Sequence, residues 1–167
     1  MSETVNVVSV TRKIPAPAPA IFGVLADPAR HPEIDGSGMV RRARSTEPVR
    51  GVGDVFVMAM HNDEMGDYEM TNRVVAYEPD RRIVWEPFMS AASREEDAAD
   101  VGNLAHHRWG YILVPQDAHV TVVTESFDCT ESPAWLQKAV RGGQRWLATM
   151  AVTLERLQAL TAAAGQP

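Results

Sequence analysis

Six short segments of alternating apolar and polar residues follow one another between Met39 and Cys129, and they limit the possible folds more than any other feature. Period-two alternation is typical of β-strands with one buried face. Most of the segments are separated by turn sequences such as RGVGD, EPDR and PQDA. Almost no helical sequence lies between them, so consecutive strands are expected to pair antiparallel, without crossover helices. The predicted strands are 39–45, 55–61, 68–77, 82–88, 106–115 and 119–129.

The segment before this meander adds one strand and two short helices. The β-branched run at residues 5–14 predicts a first strand that ends before Pro15. The apolar stretch at residues 21–25 predicts a short helix, and Asp27 is placed to cap a second one. A proline break therefore separates two short helices after the first strand.

Residues 133–164 predict one long amphipathic helix, with Ser132 as its N-cap and Pro133 at its first position. The pair Gly142-Gly143 lies inside this helix, where each glycine costs about 1 kcal/mol relative to alanine. It indicates a kink or a close approach of the backbone to the sheet or to a ligand. The apolar residues recur at spacings of four and three, which is typical of one helix face: Leu136, Val140, Gly143, Leu147, Met150, Leu154 and Leu157.

These elements predict an α+β fold. A curved seven-stranded antiparallel sheet would wrap around the long C-terminal helix, because a sheet with one solvated face must bury the other. With 45% hydrophobic residues, residues 1–167 are expected to form a single domain.

The alternation also predicts which side chains face the helix. On one strand His107, Trp109 and Tyr111 share the inward side. The final strand carries apolar residues on both faces, so its inward face stays open. We expect Glu125 to point outward, because buried glutamate is rare.

Charge and composition argue against several functions. A net charge of −6 and a pI near 5.3 disfavour nucleic acid and anionic membranes as partners. No segment approaches the ~20 apolar residues of a membrane span, and no signal peptide is recognisable, so a soluble cytoplasmic protein is expected. The single cysteine, Cys129, is expected to be a core thiol.

Neither a metal nor a cofactor is expected from the motifs. His106 and His107 are adjacent on a strand and should point to opposite faces. The other three histidines, His31, His61 and His119, fall in separate segments without ligand spacing. There is no phosphate-binding glycine loop and no dinucleotide fingerprint.

Two connecting segments leave alternatives open. In RHPEIDGSG, His31 and Asp35 are four residues apart, but Pro32 argues against a continuous helix. We favour an ordered connector whose Asp35 satisfies backbone donors over a catalytic pair. The acidic insertion at residues 89–104, where Ser93 and Glu96 form a capping-box pattern, is either a short helix or disordered.

The order of elements resembles the SRPBCC (START-like, polyketide cyclase/dehydrase) superfamily, particularly its small bacterial members, over nearly the whole chain. The blocks that carry the resemblance are IPAPAPAIFGVLADPARHPEIDGSG, YEMTNRVVAYEPDRRIVWE, HRWGYILVP, VTVVTESFD and WLATMAVTLERL. The resemblance implies a helix-grip fold, with an elongated cavity between sheet and terminal helix that holds apolar molecules. The short helices would close one end, near His31 and Asp35. The acidic insertion and the Gly142-Gly143 pair depart from the pattern.

A set of side chains on the expected inner surface forms the candidate ligand site, although the same residues could simply be core. Asn72, His107 and Tyr111 are its polar members, and an unpaired buried polar group costs about 1–3 kcal/mol. They must therefore pair within the protein or contact a ligand. The full set is Met70, Asn72, Trp85, His107, Trp109, Tyr111, Gly143, Leu147 and Met150.

Three functional hypotheses follow. The first is a carrier or sensor that binds a small hydrophobic, lipid- or polyketide-like molecule. The second is a polyketide cyclase/dehydratase-like enzyme in which His107 or Tyr111 would handle protons, although the sequence assigns no catalytic residue. The third is a regulatory or interaction module whose own side chains fill the cavity. A homodimer is compatible with all three.

Overall fold

An antiparallel sheet forms the framework of the computed structural model, which describes residues 5–45, 47–89 and 105–164. Within these ranges the sheet has seven strands in the order β1-β7-β6-β5-β4-β3-β2. Strands β2 to β7 form a meander, and β1 pairs with β7 at one edge. The strands are β1 Val7–Ile14, β2 Val40–Ala43, β3 Val55–Asn62, β4 Gly66–Glu78, β5 Arg82–Phe88, β6 Arg108–Pro115 and β7 Thr121–Asp128.

Two short helices follow β1, as the sequence predicted. Helix α1 covers Ala18–Leu25, and α2 covers His31–Ile34 directly after a 3-10 turn at Pro28–Arg30. The Asp27 carboxylate caps that turn, accepting a hydrogen bond from the Ala29 backbone N–H at 3.1 Å. The α+β helix-grip architecture predicted from the sequence is therefore confirmed.

The prediction of one continuous helix over 133–164 is wrong. The segment divides into α3 (Ala134–Ala139), a 3-10 stretch (Arg141–Trp146) and the long helix α4 (Leu147–Ala164). Gly142 and Gly143 break it with φ values of 63° and 100°, which L-residues rarely adopt.

Close packing against β1 and the residues just before it explains this break. A Cβ on Gly142 would overlap the Val5 carbonyl oxygen, and one on Gly143 would lie 2.7 Å from a Val8 methyl group.

The expected N-cap, Ser132, is also incorrect, because Pro133 occupies the N-cap position of α3 and no side chain caps this helix. Residues 134–146 therefore do not extend α4 as one regular helix, although Val140 packs in the same core cluster as Met150 of α4.

Helix α4 packs on the concave side of the sheet, where its side chains join those of the strands and α1. Leu154 and Leu157 are fully buried and pack with Ile83 and Leu113 from β5 and β6. The inward face of β7, which the sequence left open, carries Thr121, Val123, Glu125 and Phe127. Among the described residues, the sheet and α4 thus share two core clusters, a large one that contains Leu154 and Leu157 and a small one that contains Met150 and Phe127.

The expectation that Glu125 points outward is wrong. Only 4% of Glu125 is exposed. Because Val123 and Phe127 occupy the inward side, period-two geometry places Glu125 there as well. The antiparallel register sets it opposite Tyr111 on β6, which supplies a hydrogen-bond partner.

Two further expectations from the sequence are confirmed, and a third concerns residues outside the described ranges. His106 lies on the exposed side, with its Nδ1 3.4 Å from the Glu86 carboxylate, whereas His107 turns inward. Cys129 is buried, as expected for a core thiol. Of the acidic insertion, residues 90–104 lie outside the described residues. In the ranges that the structure describes, no helix has the length and apolar character needed to cross a bilayer.

Candidate ligand cavity

A cavity of about 230 Å³ lies between the concave face of the sheet and helices α2, α3 and α4. Its volume is slightly below the roughly 300–1,000 Å³ of most ligand pockets, so it suits a small molecule. The described phenylalanine, tyrosine, tryptophan and methionine residues that line it are Met39, Phe56, Met58, Met60, Tyr68, Met70, Trp85, Trp109, Tyr111, Phe127, Trp146 and Met150.

Most of the predicted site residues meet at this cavity. Gly143 and Leu147 are not among the described lining residues. The break before α4 turns this part of the chain toward β1, where Gly143 packs on Val8 and Phe127. Leu147 packs against the small core cluster that contains the same two residues. The lining members are Met70, Asn72, Trp85, His107, Trp109, Tyr111 and Met150.

A buried carboxyl–phenol pair lies within the cavity wall. The Tyr111 hydroxyl donates to Glu125 Oε1 at 3.1 Å, and Glu125 Oε2 has no hydrogen-bond partner among the described residues. Burial raises the pKa of Glu125 to about 8, against a lowering effect of the Tyr111 hydrogen bond and with a further rise from the Asp35 charge. Burial also raises the pKa of Tyr111 well above its ordinary value. Near neutral pH both groups are therefore mainly uncharged.

Two more cavity-lining side chains have buried polar atoms without partners in the described part of the chain. These atoms are His107 Nδ1 and Trp146 Nε1. Burial lowers the pKa of His107 to about 4, despite the opposing charge of Glu86, so its imidazole is neutral near pH 7. Together with Glu125, three residues that line the cavity therefore each carry a buried polar atom without a partner among the described residues.

Other polar side chains of the wall already have partners. The Asn72 amide donates to the carbonyls of Phe56 and Met70 at 3.5 and 3.3 Å. His31 Nε2 donates to the Leu25 carbonyl at 2.8 Å, and its ring stacks on Trp85 at a centroid distance of 5.3 Å. Burial lowers the His31 pKa. Both side chains therefore act mainly as structural parts of the wall.

The Asp35 loop closes one end of the cavity by satisfying its own backbone. Asp35 Oδ1 accepts from the Ser37 backbone N–H at 3.0 Å and the Ser37 hydroxyl at 2.8 Å, and Oδ2 accepts from the Val40 N–H at 3.0 Å. No hydrogen bond joins the described side chains of Asp35 and His31. RHPEIDGSG is therefore an ordered connector that also lines the cavity.

Replacing Asp35 with alanine should destabilise the fold by about 2–3 kcal/mol, because three hydrogen bonds lose their acceptor. The measurement is the free energy of unfolding in urea. Asp27→Ala is the matched control: it removes a single capping bond and should cost about 1 kcal/mol. Equal losses in the two variants would contradict the assigned role of Asp35.

The described residues that line the cavity include acidic side chains but no lysine or arginine. The acidic side chains are those of Asp35 and Glu125. Within the same part of the chain, no cluster of three or more histidine, cysteine, aspartate or glutamate side chains could hold a metal ion. The site is therefore suited to apolar binding with hydrogen bonding at a few points.

Sequence reasoning missed Glu125 as part of the site. The signal that could have located it was the alternation Val123-Glu125-Phe127, read together with the pairing of its strand beside Tyr111. The general rarity of buried glutamate favoured the outward side and outweighed this local pattern. Trp146 was missed for a different reason, since only the chain break before α4 brings it to the cavity.

Fold and site together define a helix-grip protein with a largely apolar cavity and a protonated carboxyl group in its wall. No family model matches the chain. It is 31% identical over 121 residues to the uncharacterised protein Rv0088 of Mycobacterium tuberculosis, a match covering 72% of this chain. The chain spans 46% of that relative's length.

Solved structures show the same fold at low sequence identity. A solution structure of an Arthrobacter aurescens protein has a TM-score of 0.71 at 13% identity, covering 99% of this chain and 92% of that one. The ZhuI aromatase/cyclase from Streptomyces sp. R1128 has a TM-score of 0.63 at 18% identity, with 96% and 98% covered. At these low sequence identities, the similarity to the solved structures shows only that the fold is shared.

Proposed function

We propose that the protein is a single-domain member of the SRPBCC superfamily that binds a small, largely apolar molecule in this cavity, as a carrier or sensor. The observation that carries the proposal is Glu125 Oε2, a buried polar atom without a partner in the described residues. Leaving such a group unsatisfied costs about 1–3 kcal/mol, and a bound ligand would remove that cost. The fold shared with an aromatase/cyclase supports the same proposal.

The unfilled volume argues against a purely structural module. If the protein's own side chains filled the interior, a space of about 230 Å³ lined by large aromatic rings would not remain. Methionine side chains from β3, β4 and α4 contribute to the wall, and their flexible thioethers adapt to varied apolar shapes.

An enzyme acting on a polyketide-like substrate is the second candidate, and the Tyr111–Glu125 pair favours it. A carboxyl group with a pKa of about 8 can donate a proton near neutral pH, as a general acid in a cyclase or dehydratase must. The two candidates differ in the fate of the ligand. A carrier returns the bound molecule unchanged, whereas a dehydratase returns it with the mass of one water removed.

The first test is native mass spectrometry of the protein from its own host, followed by denaturation to identify any released molecule. A defined adduct supports ligand binding, and its mass before and after incubation distinguishes carrier from enzyme. In parallel, the protein is titrated with the neutral apolar probe N-phenylnaphthylamine. An empty protein that also fails to bind the probe would contradict the proposal.

Filling the cavity should weaken binding of this probe. Met70→Trp adds an indole to the wall from β4 and should weaken N-phenylnaphthylamine binding at least about tenfold, or 1.4 kcal/mol. Met65→Trp is the matched control, because Met65 is 52% exposed in the turn between β3 and β4. Equal affinities of the two variants would place the probe outside the cavity.

A further inference from the structure

We propose that the cavity selects an uncharged ligand whose carbonyl oxygen accepts a hydrogen bond from Glu125 Oε2, and that it rejects a carboxylate of the same chain length. This inference rests on the proposed function and names the chemical class of the ligand. It is argued from the charges, the hydrogen-bond donors and the shape of the wall.

The charges disfavour an anionic ligand. Asp35 and Glu125 are the carboxylic acid side chains among the described lining residues, and neither lysine nor arginine is present there. The Asp35 carboxylate is already engaged by the Ser37 and Val40 donors of its own loop. A buried ligand carboxylate would lose its hydration without gaining a cationic partner, which is strongly unfavourable.

The hydrogen bonds place a donor on Glu125, a residue that lines the cavity. Tyr111 donates to Glu125 Oε1, so the proton of the neutral carboxyl group belongs on Oε2, which is buried and without a partner among the described residues. Trp146 Nε1, an obligatory donor, is unpartnered in the same way. Unsatisfied donors in an apolar wall are complementary to an acceptor oxygen.

The aromatic stretch beside Glu125 indicates an apolar body for this ligand. Trp109 and Phe127 form the next inward pair along β6 and β7, with ring centroids 4.7 Å apart. His107 lies beyond them, four residues from Tyr111, which is roughly 13 Å along an extended chain. A chain or ring system running past this pair would connect the Glu125 region with the His107 region.

A protonated amine is the competing ligand class, since carboxylates and aromatic rings also attract cations. Binding of an amine would require an ionised Glu125. As Glu125 ionises with rising pH, the affinity for an amine should therefore rise and the affinity for a ketone should fall. The other titratable lining groups are Asp35, Tyr68, Tyr111, His31 and His107. The histidine pKa values are lowered and the tyrosine values raised, whereas the Glu125 pKa is about 8.

The experiment compares four probes of matched chain length by the change in tryptophan emission during titration: methyl octyl ketone, decanoate, decylammonium and decane. Three of the four tryptophans line the cavity, so this signal reports binding directly. We expect the ketone to bind at least about tenfold more tightly than decanoate at pH 7. Between pH 7 and pH 9 ketone affinity should fall about tenfold, as Glu125 loses its proton.

Two variants identify the donor. In Glu125→Gln the amide N–H replaces the carboxyl O–H, so ketone affinity at pH 7 should stay within about threefold, and its decline above pH 8 should disappear. Glu125→Leu lacks a donor and should weaken ketone binding about tenfold. Decane binding should be similar in all three proteins, which controls for the integrity of the cavity.

Several results would overturn the inference. The first is decanoate binding more tightly than the ketone, and the second is a ketone affinity no higher than that of decane. The third is a decylammonium affinity that rises toward pH 8 and is lost in Glu125→Gln. The wild-type pH profile alone decides between ketone and amine, whether or not the variants fold. If decane also fails to bind and no adduct is found, the proposed function itself is wrong. If decane binds without preference for the ketone, only the inference about ligand class is wrong.

Discussion

Replacing Glu125 with glutamine should stabilise the folded protein, and the gain should grow between pH 5 and pH 8 by roughly 4 kcal/mol. Folding raises the Glu125 pKa from 4.5 to about 8, so the folded state binds a proton that the unfolded state releases across this window. The contribution of Glu125 to wild-type stability therefore falls as pH rises from 4.5 to about 8, and then levels off. Glutamine cannot ionise and does not have this loss.

Urea unfolding of both proteins at several pH values measures the effect. Glu155→Gln is the matched control on the exposed side of α4, and its difference from wild type should stay within about 0.5 kcal/mol at every pH. A constant difference between wild type and Glu125→Gln would show that Glu125 keeps an ordinary pKa. The assignment of a neutral carboxyl group in the cavity would then be wrong.

His107 affects the pH dependence in a separate window. Burial lowers its pKa from 6.5 to about 4, so its contribution to stability is present above pH 6.5 and is lost as pH falls toward 4. This acid-side loss is common to wild type and Glu125→Gln. It therefore cancels when their free energies of unfolding are compared at each pH.

Gly36→Ala should be strongly destabilising, by roughly 3 kcal/mol or more. Gly36 follows α2 and packs directly on α4, where its N–H donates to the Thr153 hydroxyl at 3.0 Å. An added Cβ would overlap the Thr149 carbonyl oxygen and lie 2.9 Å from the Thr153 nitrogen. Backbone atoms of a packed helix cannot yield as a flexible side chain can, so α2 and α4 must move apart.

The unfolding free energy of Gly36→Ala is compared with that of Gly51→Ala. Gly51 has no atom within 4 Å of an added Cβ and no left-handed φ, so its substitution should change stability by less than about 1 kcal/mol. Because the Asp35 loop lines the cavity, Gly36→Ala should also weaken probe binding. Similar stability of both variants would contradict the close α2–α4 contact.

Alternation along single strands was enough to predict several parts of the site. His107, Trp109 and Tyr111 share the inward face, because successive side chains of a strand point to opposite sides. The same rule left β7 undecided, since both of its faces carry apolar residues. There the decision came from pairing with β6, which sets Glu125 beside the Tyr111 phenol and gives the buried carboxyl group a hydrogen bond.

Helical periodicity was less reliable for the C-terminal segment. The spacing of apolar residues continues through Gly142 and Gly143, although the backbone there leaves the helical region. Periodicity records which residues are apolar, and it carries no information about the contact with Val5 and Val8 that only glycine permits. For this reason Gly143 and Leu147 were expected at the cavity but pack against β1 and its neighbours.

The sequence by itself determined the antiparallel meander and the Asp35 connector, because each depends on local periodicity or on turn and capping chemistry between near neighbours. The helix-grip architecture was implied by the family resemblance of the sequence. The tertiary structure alone decided where the terminal helix breaks, which polar atoms remain without partners and which charge Glu125 carries. These depend on contacts between distant segments, such as β7 with β6 and Val5, just before β1, with Gly142. A pKa or an unsatisfied donor is a property of the assembled surroundings, and no single stretch of sequence contains them.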